Sequence, residues 1–156
     1  MLHAMIMAGG GGTRFWPRSR VKRPKQFLTF AGDRTLLQGT LDRIAPQVPP
    51  ERTWVITGEP HVPEAKVQLP EVPADRFVGE PMGRDTAAAI GLGAALIAST
   101  DPAATMIVMP ADHVIEPARE FQRAVHAAEQ FANEYPNALL TFGIPPTFPS
   151  TGYGYI

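Results

Sequence analysis

The sequence predicts an α/β fold, a three-layer α/β/α sandwich in which helices cover both faces of a mostly parallel sheet. Short apolar runs alternate along the chain with segments of helical periodicity, and this alternation is typical of successive strand–helix–strand units. Residues 106–109 form an apolar run without alternation, as expected of a strand covered on both faces. With 156 residues, 44% of them hydrophobic, the chain can enclose one core, and we expect residues 1–156 to form one domain.

Each predicted element follows from a local pattern. Strands are expected where short apolar runs lie between turn-forming residues, at 4–8, 53–57, 76–78, 105–109 and 138–142. Helices are expected at 35–44, about 61–68, 86–99 and 117–135. The last helix has Pro117 in its first turn and apolar side chains at three-to-four spacing, and Pro136 ends it.

The composition excludes several classes of function. A formal net charge of −1 leaves no basic excess, so neither a nucleic-acid partner nor a membrane partner is expected. The absence of cysteine excludes disulfides, thiolate metal sites and a cysteine nucleophile. We expect a cytoplasmic location, because no signal-peptide pattern and no run of roughly 20 apolar residues is present. The run at 151–156 reads as a turn that leads into a strand, and we expect a domain truncated at its C-terminus.

A glycine run after the first predicted strand is the strongest functional signal. Four glycines, Gly9 to Gly12, are followed by Thr13 and Arg14, and Lys25 comes later in the same segment. A strand that opens into a loop without side chains lets backbone N–H groups converge on an anion. Ligands of parallel sheets bind outside the carboxyl ends of the strands, where this loop lies. The pattern predicts binding of a nucleoside triphosphate, with the two cations on the phosphates.

Two well-known phosphate-binding motifs do not fit this loop. In the dinucleotide motif G-x-G-x-x-G, the third glycine position would be Arg14 or Phe15. The P-loop needs a Gly-Lys pair, and the chain has none. A flexible connection without function is the remaining alternative. A glycine costs about 0.5–1 kcal/mol in a regular element, and this cost favours a loop that a ligand approaches closely.

Four segments in order resemble one known family. Residues 8–27, AGGGGTRFWPRSRVKRPKQF, resemble the G-x-G-x-R…K signature loop of the sugar-1-phosphate nucleotidyltransferases, in particular that of the mannose-1-phosphate guanylyltransferases, also called GDP-mannose pyrophosphorylases. Residues 80–90, EPMGRDTAAAI, resemble the E-P-x-G-R-[ND]-T-A motif of that branch, and 110–115, PADHVI, its P-A-D-H segment. Residues 142–147 with 151–156 resemble its F-G-I-x-P-T…E-T-G-Y-G-Y-I segment, with Ser150 where that family usually has Glu. The resemblance implies a Rossmann-like fold of the nucleotide-diphospho-sugar transferase type.

The activity that the resemblance implies is transfer of GMP from GTP to mannose 1-phosphate, which yields GDP-mannose and pyrophosphate. Arg14 would hold the β and γ phosphate oxygens through its planar fork of donors. Lys25 would act as a point charge near the α-phosphate. The nucleotide-binding residues that the resemblance implies are Ala8, Gly9, Gly10, Gly11, Gly12, Thr13, Glu80, Pro81, Arg84, Asp85 and Thr86.

The metal and sugar sides of the site are also implied. Asp112 follows a buried-looking strand, and a carboxylate there suits Mg²⁺, which prefers one or two carboxylates with phosphate oxygens and waters. A turn-forming Asp112 is the alternative, and His113 is interpreted as structural. The resemblance places three residues on the sugar-phosphate side: Gly143, Tyr153 and Gly154.

Some alternatives stay open at this stage. Asp85 or Thr86 can cap the following helix instead of, or as well as, meeting the base. A related transferase with another base or sugar would share the phosphate loop. A nucleotide-binding fragment without turnover is the third alternative, and the isolated 156-residue chain is expected to be inactive. The full-length protein is expected to be soluble, with a homodimer as one arrangement.

Overall fold

A four-stranded parallel sheet forms the middle layer of the molecule. The computed structural model describes residues 1–10, 15–20, 22–30, 32–152 and 154–155. The strands are β1 (Leu2–Met7), β2 (Thr53–Gly58), β3 (Phe77–Glu80) and β4 (Thr105–Pro110). They lie in the order β3-β2-β1-β4, and each neighbouring pair is parallel.

Within the described residues, four α-helices connect and cover these strands. They are α1 (Leu36–Ile44), α2 (Val62–Gln68), α3 (Asp85–Thr100) and α4 (Ala118–Glu134). The α1 helix begins with a capping box, in which the Thr35 hydroxyl accepts from the Gln38 backbone N–H at 3.2 Å and the Gln38 side chain accepts from the Thr35 N–H at 3.0 Å. These reciprocal bonds satisfy two donors at the helix start.

The side chains of β1 divide the core into two parts. Ala4 and Ile6 belong to the larger core, which also contains side chains of α1, α2 and α4. Met5 lies on the opposite face with Ala89 of α3. Because successive side chains of a strand point to opposite faces, the apolar run of β1 serves both layers. The predicted sandwich, with helices on both faces of a parallel sheet, is confirmed.

Most predicted elements form close to their expected bounds, and one does not form. All four helices and four of the five strands lie within two residues of the prediction. The predicted strand at 138–142 is wrong, because these residues are irregular and exposed in the structure. A strand must pair its backbone N–H and C=O groups with a neighbour, and none of the four described strands pairs with this segment.

A membrane span requires a helix of sufficient length and hydropathy. Among the helices of the described ranges, none is both long enough and apolar enough to cross a bilayer.

Gly93 provides a stability prediction because it lets α3 lie close to β1. A Cβ atom built on Gly93 would overlap the Met5 sulfur, and Met5 is fully buried. Gly91 lies in the same helix with no atom within 4 Å of such a Cβ. Both Gly→Ala changes gain about 1 kcal/mol of helix propensity, but only Gly93→Ala overpacks the core. We expect Gly93→Ala to lower the free energy of unfolding by about 1–3 kcal/mol relative to Gly91→Ala.

Urea-induced unfolding of the two variants measures this difference directly, and Gly91→Ala serves as the matched control. Equal unfolding free energies would show that Met5 changes its rotamer without cost. The close contact of Gly93 with β1 would then place no limit on side-chain size at position 93.

Candidate active site

The carboxyl ends of the strands bring several of the predicted site residues to one edge of the sheet. Ala8 directly follows β1, Glu80 ends β3, and Asp112 comes shortly after β4. The Ala111 N–H donates to the Met7 carbonyl at 2.9 Å. The loop that carries Asp112 therefore begins level with the loop that follows β1, at the edge where parallel sheets bind ligands.

Lys25 and Asp112 form an ion pair at this edge. The Lys25 ammonium contacts the Asp112 Oδ2 atom, and their side chains are 20% and 27% exposed. The Lys25 Nζ also lies 5.8 Å from the centroid of the Phe15 ring. The predicted catalytic lysine and the predicted metal ligand are thus in direct contact, although they are distant in the sequence.

The backbone of Lys25 is tied to the end of β1. Lys25 begins a short 3-10 turn, Lys25–Phe27, and the next side chain, Gln26, donates from Nε2 to the Ala8 carbonyl at 2.6 Å. The Thr57 hydroxyl donates to the same carbonyl at 2.8 Å. The Ala8 carbonyl therefore anchors the segment that carries Lys25 to the start of the glycine loop.

Glu80 lies beside the beginning of the glycine loop. A Cβ atom on Gly9 would be 3.8 Å from the Glu80 Oε2 atom. Gly10 has a φ of +100°, a conformation that side-chain-bearing residues rarely adopt. The structure thus brings together Ala8, Gly9 and Glu80 of the predicted nucleotide site. The remaining loop residues of the prediction lie outside the described residues: Gly11, Gly12, Thr13 and Arg14.

The segment between β3 and α3 is exposed and has an unusual backbone. Pro81, Arg84, Asp85 and Thr86 are all exposed. Asp85 has a φ of 63°, and non-glycine residues in this region carry a local strain that is often found at functional sites. The alternative that Asp85 or Thr86 caps α3 is wrong, because Arg84 occupies the N-cap position and makes no side-chain capping hydrogen bond.

Two of the predicted sugar-side residues, Gly143 and Gly154, follow α4 in the sequence and belong to no described helix or strand. Gly143 and Gly154 lie in exposed irregular stretches, and no hydrogen bond between described residues connects either of them to the ends of the strands. Tyr153 lies outside the described residues. Their assignment to the sugar phosphate stays a prediction.

Asp112 fits a metal that is held mainly by a nucleotide. Within the described ranges, no group of three or more His, Asp or Glu side chains is placed to hold a metal ion. The His113 Nε2 atom lies 3.6 Å from Asp112 Oδ1, so His113 is an exposed neighbour of the carboxylate. Mg²⁺ takes only one or two carboxylates when phosphate oxygens and waters fill its other positions. Asp112 can supply one such ligand.

Behind the Asp112 loop lies a buried arginine that the sequence did not reveal. Arg43 is 8% exposed, and burial lowers the pKa of its guanidinium. Its Nη2 donates to Thr40 Oγ1 at 3.2 Å and to the His113 carbonyl at 3.4 Å. The guanidinium also lies 5.3 Å from the centroid of the Phe121 ring.

A cavity of about 270 Å³ adjoins this arginine. At its rim Arg34 donates two hydrogen bonds to Asp42, at 2.8 and 2.6 Å, and these bonds raise the pKa of Arg34. The cavity lies between α1 and the loop before α4, and His113 is among the residues that line it. Neither Gln26 nor Arg43 was assigned a role from the sequence. For Gln26 the reason is that a glutamine within a charged segment looks like a surface residue.

Comparisons with known proteins agree with this geometry. The family model described as nucleotidyl transferase matches residues 3–156. The chain is 45% identical over 161 residues to the mannose-1-phosphate guanylyltransferase ManC of Salmonella typhimurium strain LT2. That alignment covers 99% of this chain and 32% of ManC. It is 44% identical over 160 residues to the mannose-1-phosphate guanylyltransferase of Escherichia coli K12, with 99% and 33% covered. The chain thus spans about a third of the length of these curated relatives.

Solved structures also resemble this fold. A Thermus thermophilus protein, described as a mannose-1-phosphate geranyltransferase, is 40% identical with a TM-score of 0.74, over 85% of this chain and 38% of that one. A Helicobacter pylori protein, described as a mannose-6-phosphate isomerase, is 25% identical with a TM-score of 0.66, over 85% and 47%. With the parallel sheet, these likenesses confirm the predicted nucleotide-diphospho-sugar transferase type of fold.

Proposed function

Because the chain belongs to the nucleotidyl transferase family, we propose that the full-length protein transfers GMP from GTP to α-D-mannose 1-phosphate. The products are GDP-mannose and pyrophosphate. The observation that carries the proposal is the contact of Lys25 with Asp112, at the same edge of the sheet as Gly9 and Glu80. The names of relatives at 45% and 44% identity support the choice of base and sugar.

The proposed reaction is an in-line displacement at the α-phosphorus of GTP. A phosphate oxygen of mannose 1-phosphate forms a new bond to this phosphorus, while the bond from the α-phosphorus to the oxygen bridging to the β-phosphate breaks. Pyrophosphate leaves with the bonding electrons. Such a reaction needs positioning and charge stabilisation more than covalent help from the protein.

The side chains at the sheet edge have distinct roles in this proposal. The backbone N–H groups of the glycine loop bind the triphosphate, and Arg14 neutralises charge on the departing pyrophosphate. The Lys25 ammonium, carried by the turn that the buried Phe27 anchors, stabilises charge at the α-phosphate. The Glu80 carboxylate accepts hydrogen bonds from the N1–H and N2–H groups of guanine. Pro81, Arg84, Asp85 and Thr86 complete the guanine and ribose environment.

We propose Mg²⁺ as the cofactor, with Asp112 as its ligand from this chain. When bound, Mg²⁺ would supply positive charge to the phosphate oxygens. The Lys25 ammonium contacts Asp112 Oδ2, and a carboxylate can still offer its other oxygen, here Oδ1, to a cation. When a nucleotide binds, the Lys25 ammonium would turn from the Asp112 carboxylate toward the α-phosphate. On the sugar side, we propose that Gly143, Tyr153 and Gly154 contact mannose 1-phosphate.

The remaining features of the proposal follow from composition and size. We propose a cytoplasmic protein whose partners are GTP and mannose 1-phosphate, with neither nucleic acid nor membrane as a partner, since the net charge is −1. Residues 1–156 are its nucleotide-binding domain. A homodimer of the full-length protein stays a prediction.

Release of pyrophosphate from GTP, mannose 1-phosphate and Mg²⁺ by a full-length version of the protein tests the proposal. We expect turnover with GTP, and little with UTP or dTTP. Efficient use of another nucleotide would reassign the base, and efficient use of glucose 1-phosphate would reassign the sugar. No turnover with any pair would overturn the assignment as a transferase.

A second candidate concerns the 156-residue chain by itself. The chain spans about a third of its curated relatives, and this coverage favours a nucleotide-binding fragment without turnover. Calorimetry of the chain with GTP should detect weak binding at best, and the pyrophosphate assay should detect no product. Robust turnover by the chain alone would rule out this candidate.

A further inference from the structure

Gln26 is a buried polar side chain next to the proposed catalytic lysine. It is 1% exposed, and its Nε2 donates to the Ala8 carbonyl at 2.6 Å. An amide that is taken out of water is costly unless it is hydrogen-bonded, and an apolar side chain of the same size would fill this space without that requirement. The polar residue at this position therefore calls for an explanation beyond packing.

The bond acceptor, Ala8, is the fixed point from which the glycine loop departs. Its N–H donates to the Ile56 carbonyl at 2.7 Å, and its own carbonyl accepts from both Gln26 and Thr57. Ala8 is 1% exposed and belongs to the larger core. The end of β1 is thus held at both its donor and its acceptor.

Gln26 also shares a rigid turn with Lys25. Within this turn the Phe27 N–H donates to the Pro24 carbonyl at 3.1 Å, and the Leu28 N–H donates to the Lys25 carbonyl at 3.0 Å. Phe27 is 1% exposed, so the turn is anchored in the core. A hydrogen bond from Gln26 to Ala8 therefore sets the distance between the Lys25 backbone and the first residue of the loop.

We propose that Gln26 is a positioning residue that holds Lys25 in place relative to the glycine loop, so that the ammonium reaches the α-phosphate of a bound nucleotide. This inference rests on the proposed function. Small displacements of a catalytic group lower rates steeply, by about 100-fold for a shift of about 1 Å. A turn released from Ala8 would still fold around Phe27, but it would present Lys25 imprecisely.

Thr57 provides the matched control, because its hydroxyl donates to the same Ala8 carbonyl although Thr57 does not adjoin Lys25. Gln26→Met removes the amide at similar volume, and Thr57→Val removes the hydroxyl. In the full-length protein we expect Gln26→Met to lower kcat at least about tenfold, with the KM for GTP within about twofold of wild type. Thr57→Val should leave kcat within about twofold, since it does not move Lys25.

A double-mutant cycle with Lys25→Ala shows whether Gln26 acts through the lysine. In the Lys25→Ala background, Gln26→Met should lower kcat by less than about twofold, because the positioned group is already absent. A full additional loss in that background would overturn the inference, and so would equal effects of Gln26→Met and Thr57→Val. If Gln26→Met does not fold, Gln26→Asn, which shortens the amide by one methylene, is judged by the same criteria.

Failure of the inference and failure of the proposed function give different results. Wild-type protein that turns over while Gln26→Met matches it in kcat would overturn the positioning role alone. Wild-type protein that releases no pyrophosphate would overturn the proposed function, and the positioning role with it.

Discussion

Lys25→Ala is expected to lower kcat for GDP-mannose formation by at least about 100-fold in the full-length protein, the loss typical of one preorganised charge or donor at a transition state. The Lys25 ammonium lies at the carboxyl edge of the sheet in contact with Asp112. Its removal takes away the positive charge proposed to act on the α-phosphate and leaves the carboxylate without that partner. Steady-state pyrophosphate release at saturating GTP measures the effect.

Lys22→Ala is the matched control for this change. Lys22 is an exposed lysine of the same segment, and its truncation removes the same charge from a side chain with no proposed role. Its kcat should stay close to that of wild type. A Lys25→Ala protein with wild-type kcat would remove Lys25 from the mechanism.

Asp112→Asn is expected to lower kcat by a similar factor of about 100 and to raise the Mg²⁺ concentration for half-maximal activity at least about tenfold. Asparagine keeps the shape of the side chain but loses the charge that a hard cation prefers. The change also removes the ionic partner of Lys25. Activity at varied Mg²⁺ measures both effects, and calorimetry of GTP binding with and without Mg²⁺ gives a readout that does not depend on turnover.

Asp42→Asn is the control for the loss of a carboxylate. Asp42 pairs with Arg34 at the protein surface, where both side chains are 48% exposed, and exposed pairs of this kind contribute about 0–1 kcal/mol to stability. The Mg²⁺ concentration for half-maximal activity of Asp42→Asn should equal that of wild type. An unchanged Mg²⁺ requirement in Asp112→Asn would show that the metal is held elsewhere.

The candidate site was predictable where it depends on the order of elements along the chain. The glycine run after β1 and Asp112 after β4 could be placed at one edge of the sheet, because parallel strands share the direction of their carboxyl ends. Glu80 was assigned to the same site through its resemblance to a motif, and the structure places its carboxylate beside Gly9. The roles of these residues in binding and catalysis stay predictions.

Contacts between distant segments were not predictable from local patterns. The burial of Gln26 depends on the Ala8 carbonyl, and that of Arg43 depends on the Phe121 ring and the His113 carbonyl. Neither side chain looks buried in its own segment, since both are long and polar. The capping of α3 was also misjudged, because Asp is favoured both at N-caps and at positive φ, so residue type alone does not distinguish the two conformations at Asp85.

The amino-acid sequence by itself determined the parallel sandwich, since the alternation of apolar runs and helical periodicity is a property that can be read from local segments. It also determined which loops lie at the binding edge. Only the tertiary structure decided that Lys25 meets Asp112, that Gln26 ties the lysine to β1, and that residues 138–142 do not form a strand. Each of these features depends on a partner from elsewhere in the chain: an opposite charge, a hydrogen-bond acceptor or a neighbouring strand. A local sequence pattern does not show whether that partner is present.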